Sequence, residues 1–351
     1  MNGPILVIQT AFAGDLVLTT PLIAETAERF PGAAIDVLCI PATASLLAGH
    51  PAIRRVIVYD KHRRHPSLIS LMRRLARERY ALCLCPHRSL RSALLARATR
   101  APRRIAFHRS AGRWLFTETV PYREDLHEAD RNRSLLSFTG IPGPKLRIPA
   151  LYPSEDDHAA AARLLETCVS SEAGERTRAS SDPLFLCIAP GSVWATKRWT
   201  EEGFAAVARY FAARYRVMFL GGAEDHALCA RIITRAGVGL PVHNVAGQLG
   251  FLASAALIGR AAVLVSNDSA PVHLASAMGT PVVEVYGATS PAFGFSPYGV
   301  PHRIVQHEGL SCRPCAIHGG DHCPVGTFAC MRELPATTVI AAVEELLETR
   351  E

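Results

Sequence analysis

Short, continuous apolar runs alternate with amphipathic stretches along the chain. PILVIQ (4–9), IDVLCI (35–40), VIVY (56–59), ALCLC (81–85) and RIAF (104–107) show no polar alternation. That is the pattern of strands buried on both faces of a parallel sheet. Helical spacing fills the gaps near 16–29, 66–79 and 89–99. TGIPGPKLRIPALYP (139–153) holds four prolines and two glycines and reads as a linker. Ser154 followed by Asp157 predicts the start of a helix over 154–168, and 169–183 is polar and predicts a loop. The pattern then restarts, with strands LFLCIA (184–189), RVMFLG (216–221), AVLVS (262–266) and PVVEVYG (281–287). Helices fit 201–214, 225–236, 250–259 and 269–277, and a last amphipathic helix fits 336–349. The prediction is an α/β chain of two doubly wound domains, 1–150 and 151–351. Ligands of such sheets bind beyond the carboxyl ends of the strands, so two sheets predict a site in a cleft between them.

Composition agrees with a folded chain: 351 residues, 49% apolar and 20% charged, exclude a disordered or fibrous protein and suit two domains. The best membrane-span candidate, 245–266, is interrupted by Gln248, Arg260 and three glycines. The N-terminus MNGPILVIQ lacks the basic region and cleavage site of a signal peptide. The expected compartment is the cytoplasm, where the ten cysteines would be thiols or metal ligands.

Charge is uneven. Residues 1–150 carry 23 Lys+Arg against 11 Asp+Glu, net +12, and the remainder carries 15 against 20, net −5. Residues 54–113 alone hold 17 basic side chains against Asp60 and Glu78. A basic face suits an anionic partner. Compositional bias explains arginine over lysine, since Lys61, Lys145 and Lys197 are the only lysines, but not the asymmetry between halves.

Several short stretches carry candidate chemistry. Asp15, in QTAFAGDLVLTTPL after the first strand, is a general base aimed at a hydroxyl or a helix cap. APGSVWATKRW (189–199) brings Ser192, Thr196, Lys197 and Arg198 to a glycine turn, as a diphosphate site needs; the alternative is a solvated cation pair. Neither a P-loop nor GxGxxG is present. In GGAED (221–225), Glu224 either accepts from ribose or sugar hydroxyls or opens a helix beside Asp225. SNDSAPVHLASAMGTPVVEVYG (266–287) places Asp268, Ser269 and Ala270 at a strand-to-helix turn with free amides, and His273 one turn on; Asp268 otherwise caps the helix. Cys312, Cys315, Cys323 and Cys330, with His318 and His322, form either a zinc site or a packed loop of thiols; the spacings are not those of a standard ribbon.

In this order the motifs resemble glycosyltransferase family 9, the lipopolysaccharide heptosyltransferases of the GT-B fold, with PGSVWATKRW and the Cys-rich tail closer to the heptosyltransferase II branch. The resemblance implies Asp15 as catalytic base and Ser192, Thr196 and Lys197 as the loop holding the donor diphosphate. It implies Glu224 at the ribose, Asp268 at the donor sugar, phosphate-binding amides at Ser269 and Ala270, and His273 among the donor-side residues. It also implies inverting transfer of heptose from ADP-L-glycero-D-manno-heptose to the inner core, with no metal and no cofactor, at the cytoplasmic face of the inner membrane. His87, Arg88 and Arg91 are the candidate contacts to an anionic lipopolysaccharide acceptor. Nucleic acid is not an expected partner. Two alternatives stay open: transfer of another sugar such as N-acetylglucosamine, and a non-catalytic two-lobed protein that binds sugar nucleotides.

Overall fold

The computed structural model describes residues 3–60, 67–170 and 184–349. The chain divides into two compact units, Met1–Tyr152 and Pro153–Glu351, so the break falls two residues beyond the expected boundary. Most of the 169–183 loop lies outside the described residues.

The first unit contains strands β1 (Ile5–Ile8), β2 (Ile35–Cys39), β3 (Ile53–Val58), β4 (Leu82–Cys85), β5 (Arg103–Phe107) and β6 (Glu118–Val120). Its helices are α1 (Ala13–Val17), α2 (Thr20–Arg29), α3 (Leu68–Arg77), α4 (Leu90–Ala98) and α5 (Glu128–Arg133). The strands pair in parallel in the order β3-β2-β1-β4-β5-β6. Every residue of β1, β2 and β4 is buried, which explains the unbroken apolar runs. One exception is Asp36 on β2, which is fully buried. Arg54 binds it with two nitrogens at 2.9 and 2.7 Å, Arg55 at 2.8 Å and the Tyr80 hydroxyl at 2.6 Å.

The single helix expected over 16–29 is two helices. Pro21 stands at the start of α2, where it has no N–H for the carbonyl of Val17; the Thr20 hydroxyl takes that carbonyl at 2.8 Å. The break at Leu18 and Thr19 is filled by α5, whose Asn132 donates to Leu18 O at 3.2 Å.

The second unit contains α6 (Glu155–Ser170), β7 (Phe185–Ala189), α7 (Glu201–Phe211), β8 (Arg216–Phe219), α8 (His226–Ala236), β9 (Val242–Asn244), α9 (Phe251–Arg260) and β10 (Val263–Asn267). These are followed by α10 (Ala270–Met278), β11 (Val282–Tyr286), β12 (His302–Gln306), α11 (Ala329–Arg332) and α12 (Ala336–Glu348). Its sheet is also parallel, in the order β12-β11-β10-β7-β8-β9. Numbered within each unit the two orders are the same, 3-2-1-4-5-6, that of a dinucleotide-fold sheet, with its reversal between β1 and β4 and between β7 and β10. The core of the second unit lies between its sheet and helices α7, α8 and α12, with Phe204, Phe211, Val263 and Val343 fully buried.

Candidate active site

In the first unit the loops at the reversal point are tied together. Thr10, just after β1, holds His87, just after β4, through Oγ1 to Nδ1 at 2.8 Å, and Ser92 Oγ holds the same nitrogen at 2.8 Å. Thr10, His87 and Arg91 share the wall of a cavity of about 520 Å³ with Ile40, Tyr59 and Leu94. Two of the three expected acceptor residues therefore line one cavity. Arg88 does not; it lies over the Tyr122 ring, 4.2 Å from its centre.

Asp15 stands in the first turn of α1, whose N-cap is Phe12, so it does not cap the helix. Its backbone carbonyl accepts from the Thr19 hydroxyl at 2.7 Å. That hydroxyl accepts from Gln9 Nε2 at 3.1 Å. Half-buried Asp15 is thus carried on a short helix whose C-terminal end is anchored by Gln9, just after β1, and by Asn132 of α5.

In the second unit the loop after β7 and the turn after β10 meet at the reversal point. Lys197 Nζ lies 2.7 Å from Asp268 Oδ2, and the Thr289 hydroxyl donates to the same oxygen at 2.6 Å. Asp268 is therefore used in a buried ion pair, and the N-cap of α10 is Ser269. Asn267 accepts from Trp199 N at 3.0 Å and donates to Pro190 O at 2.7 Å, clamping both ends of the loop that carries Ser192, Thr196 and Lys197. Sequence reading placed Asn267 next to the site but gave it no task; only the fold reveals the clamp. Ala270 begins α10; Pro271 has no N–H and the Val272 amide donates to Ser269 O at 3.1 Å, so the helix start offers the amides of Ser269 and Ala270. His273 is buried on α10.

Thr196 and Glu224 play different local parts. Thr196 is buried; its hydroxyl accepts from Gly320 N at 2.8 Å and its amide donates to Gly320 O at 3.0 Å, so it staples the loop to the Cys-rich tail. Ser192 offers its carbonyl to Arg198 Nε at 2.7 Å, which folds that arginine back onto its own loop. Asp225 accepts from Gly222 N at 3.1 Å, and a Cβ on Gly191 would meet its carboxyl at 2.4 Å. The PGS and GGAED turns are therefore in contact, and Asp225 does the local turn work, leaving Glu224 exposed. Burial raises the Asp225 carboxyl above its usual range, opposed by the Gly222 amide. Sequence reading gave no role to Glu284 on β11, whose carboxyl is raised well above its usual range by burial, with the charge of Asp268 added.

The tail loop is held by main-chain bonds, Cys315 N to Ala288 O at 2.9 Å among them, and by Arg313, whose Nη1 donates to His307 O at 2.8 Å. Amides of residues 325–328 turn toward Cys323 and lower its thiol, while burial raises those of Cys315 and Cys330. Among the described residues no three His, Cys, Asp or Glu side chains are gathered to grip a metal ion.

Residues 68–320 match glycosyltransferase family 9 (heptosyltransferase), and the chain belongs to this family. It is a glycosyltransferase of the α/β GT-B class. It is 28% identical over 352 residues to lipopolysaccharide heptosyltransferase 3 of Escherichia coli (strain K12), spanning 96% of each chain. Among solved structures it is similar to a family 9 glycosyl transferase from Veillonella parvula DSM 2008, with a TM-score of 0.84, 24% identity and coverage of 99% and 98%. The E. coli ADP-heptose lps heptosyltransferase II is similar with a TM-score of 0.79 and 22% identity, covering 99% of each chain.

Proposed function

We propose that this chain is an inverting, metal-independent heptosyltransferase that moves heptose from ADP-L-glycero-D-manno-heptose to the inner core of lipopolysaccharide. The observation that carries the reading is the Lys197–Asp268 pair at 2.7 Å, set beside the start of α10 at Ser269 and Ala270, at the reversal point of the second sheet. Such a turn gathers a cation and helix-terminal amides for the diphosphate with a carboxylate for sugar hydroxyls. As the glycosidic bond to the diphosphate breaks, charge grows on the leaving phosphate, and Lys197 and the helix dipole stabilise it. Ser192 and Glu224 belong to the same reading, at the diphosphate and the ribose. Thr196 serves it by fixing the loop, and His273 by supporting α10 from within.

On the acceptor side, Asp15 takes the proton of the attacking hydroxyl as that oxygen bonds the anomeric carbon from the face opposite the nucleotide, inverting it. His87, Arg91 and the cavity they line receive an anionic acceptor, with Arg88 nearby. The similarity to a lipopolysaccharide heptosyltransferase and to an ADP-heptose lps heptosyltransferase favours this donor and acceptor. No helix among the described residues is long and apolar enough to cross a membrane. We place the enzyme at the cytoplasmic face of the inner membrane, drawn there by the arginines of the first unit.

The test is a panel of nucleotide sugars scored for protection against thermal unfolding and for transfer to heptose-deficient core acceptor. ADP-heptose is expected to raise the unfolding temperature and to be turned over. Protection by a different nucleotide sugar, with no response to ADP-heptose, would replace the donor assignment.

A further inference from the structure

The Cys-rich tail grips the segment that follows β11. Three consecutive carbonyls of that segment are taken by tail residues. Arg313 Nε donates to Gly287 O at 2.5 Å, and Arg313 Nη2 donates to Thr289 O at 3.2 Å. Between them, Ala288 O accepts from Cys315 N at 2.9 Å and from Ala316 N at 3.3 Å. The half-buried guanidinium also reaches the end of β12: Nη1 donates to His307 O at 2.8 Å and Nη2 to Gln306 Oε1 at 3.0 Å. One planar fork thus serves four oxygens from two segments, a task that suits arginine and not the single ammonium of lysine.

The gripped segment meets the donor loop with its other groups. Ala288 N donates to Thr196 O at 3.2 Å, and a Cβ on Gly287 would lie 2.5 Å from the same oxygen, so this close approach needs glycine. The buried Thr289 hydroxyl donates to Asp268 Oδ2 at 2.6 Å, the oxygen that Lys197 Nζ meets at 2.7 Å. Arg313 is therefore one residue away from the Asp268 carboxylate: it holds the carbonyl of Thr289, and the hydroxyl of Thr289 holds the carboxylate. The two charges of the pair are anchored differently. Lys197 stands on a loop clamped by Asn267 at Trp199 N and Pro190 O and stapled by Thr196 to Gly320, and none of these bonds involves Arg313. The Asp268 carboxylate is held by Lys197 and by Thr289, and Thr289 is in turn held by Arg313.

We propose that Arg313 is a positioning residue for the donor sugar: by fixing Gly287 O and Thr289 O it aims the Thr289 hydroxyl at Asp268 Oδ2, and so sets the direction in which that carboxylate meets the sugar hydroxyls. This rests on the reading of Asp268 as the contact to the donor sugar and of Lys197 as the contact to the diphosphate. Without the guanidinium, the carbonyls of Gly287 and Thr289 lose their donor and the Thr289 hydroxyl loses its fixed direction. The carboxylate is then free to turn about Lys197 alone. The cation keeps its loop anchors, so the diphosphate contact survives. The sugar end of the donor is affected more than its nucleotide end.

The experiment measures kcat/KM for ADP-heptose and, by calorimetry, the affinity and number of ADP sites per chain. The site number corrects each rate for any unfolded fraction, which a merely structural role would change. Arg313→Ala is expected to lower kcat/KM for ADP-heptose about tenfold per ADP site while ADP affinity falls no more than about twofold. Thr289→Val is expected to show the same split. Because both residues act through one contact, Arg313→Ala combined with Thr289→Val is expected to lose no more than about twofold beyond the larger single loss. An unchanged kcat/KM per site in Arg313→Ala, equal losses toward ADP-heptose and ADP, or losses that multiply in the double variant overturn the proposal. If Arg313→Ala does not fold, Arg313→Lys takes its place with the same split at about threefold, and absence of that split overturns the proposal. A parent enzyme that neither binds ADP nor turns over ADP-heptose is a separate outcome that removes the donor reading itself and the proposal with it.

Discussion

The two units lay their strands in the same order, yet the loops at the two reversal points are built on opposite principles. In the second unit the site is already internally neutralised: Lys197 is paired with Asp268, and the loop is clamped at both ends by Asn267. In the first unit Arg88 and Arg91 are exposed, while Glu128 lies buried against Arg131. A preformed, charge-matched turn suits a ligand whose diphosphate is always the same. An open, arginine-rich mouth suits a large anionic partner met at a surface. One backbone plan thus carries two different loop chemistries, because the sheet fixes only where loops converge and the loops supply the side chains.

The sharpest break of this comparison is Asp15→Asn, which removes the proposed base from the first unit and leaves the second intact. Turnover is expected to fall by roughly 10²-fold or more with donor affinity unchanged, read by kcat and by calorimetry with ADP. Equal turnover would leave the first unit without a chemical role.

Next in size is Asp36→Asn, which probes architecture rather than chemistry. It leaves Arg54 and Arg55 without their buried partner and is expected to cost about 2 kcal/mol in denaturant unfolding at neutral pH. Burial raises the Asp36 carboxyl, but the hydrogen bonds of Arg54, Tyr80 and Arg55 outweigh it, and the net shift is downward. Below its ordinary range the unfolded chain therefore binds the proton more readily than the folded one. The stabilisation is present above that range and is lost as pH falls through the folded value. The variant should show a correspondingly flatter loss of stability on acidification; an identical acid profile would show that the network does not titrate with folding.

Lys197→Ala is expected to weaken ADP binding about tenfold while leaving the binding of acceptor alone unchanged. Undiminished ADP affinity by calorimetry would mean that Lys197 only holds Asp268. Arg91→Ala is the mildest case: acceptor KM should rise about two- to threefold, with a weaker dependence on salt and no change toward the donor. For the tail, elemental analysis of protein purified without chelator separates a thiolate metal site from a packed loop, with one metal per chain marking the first.

Most of the central strands and long helices were legible because their signal is local. An unbroken apolar run such as LCLC has one good solution, a strand covered on both faces. The elements that escaped, β6, β9 and β12, are edge or near-edge strands with intermediate burial and no apolar run of their own; pairing with a neighbour makes them strands. The break between α1 and α2 was signalled by Pro21, but helical spacing across it masked the signal. Among the candidate site residues, the motifs placed Lys197 and Asp268 in reach of one another in kind, though not in contact. His87 and Arg91 do share a cavity wall, whereas Arg88 is turned to Tyr122.

The sequence by itself determined the class of the fold, the two units and the stretches that carry chemistry, because hydrophobic period, glycine turns and polar residues after buried strands are properties of short segments. Only the tertiary structure decided that the largely polar α5 is buried, that Asn267 and Asn132 act as clamps, and that Thr196 faces the tail. Those are relations between residues tens to more than a hundred positions apart. A buried polar group is tolerated only when its partner arrives from elsewhere in the fold, and no local pattern announces that partner.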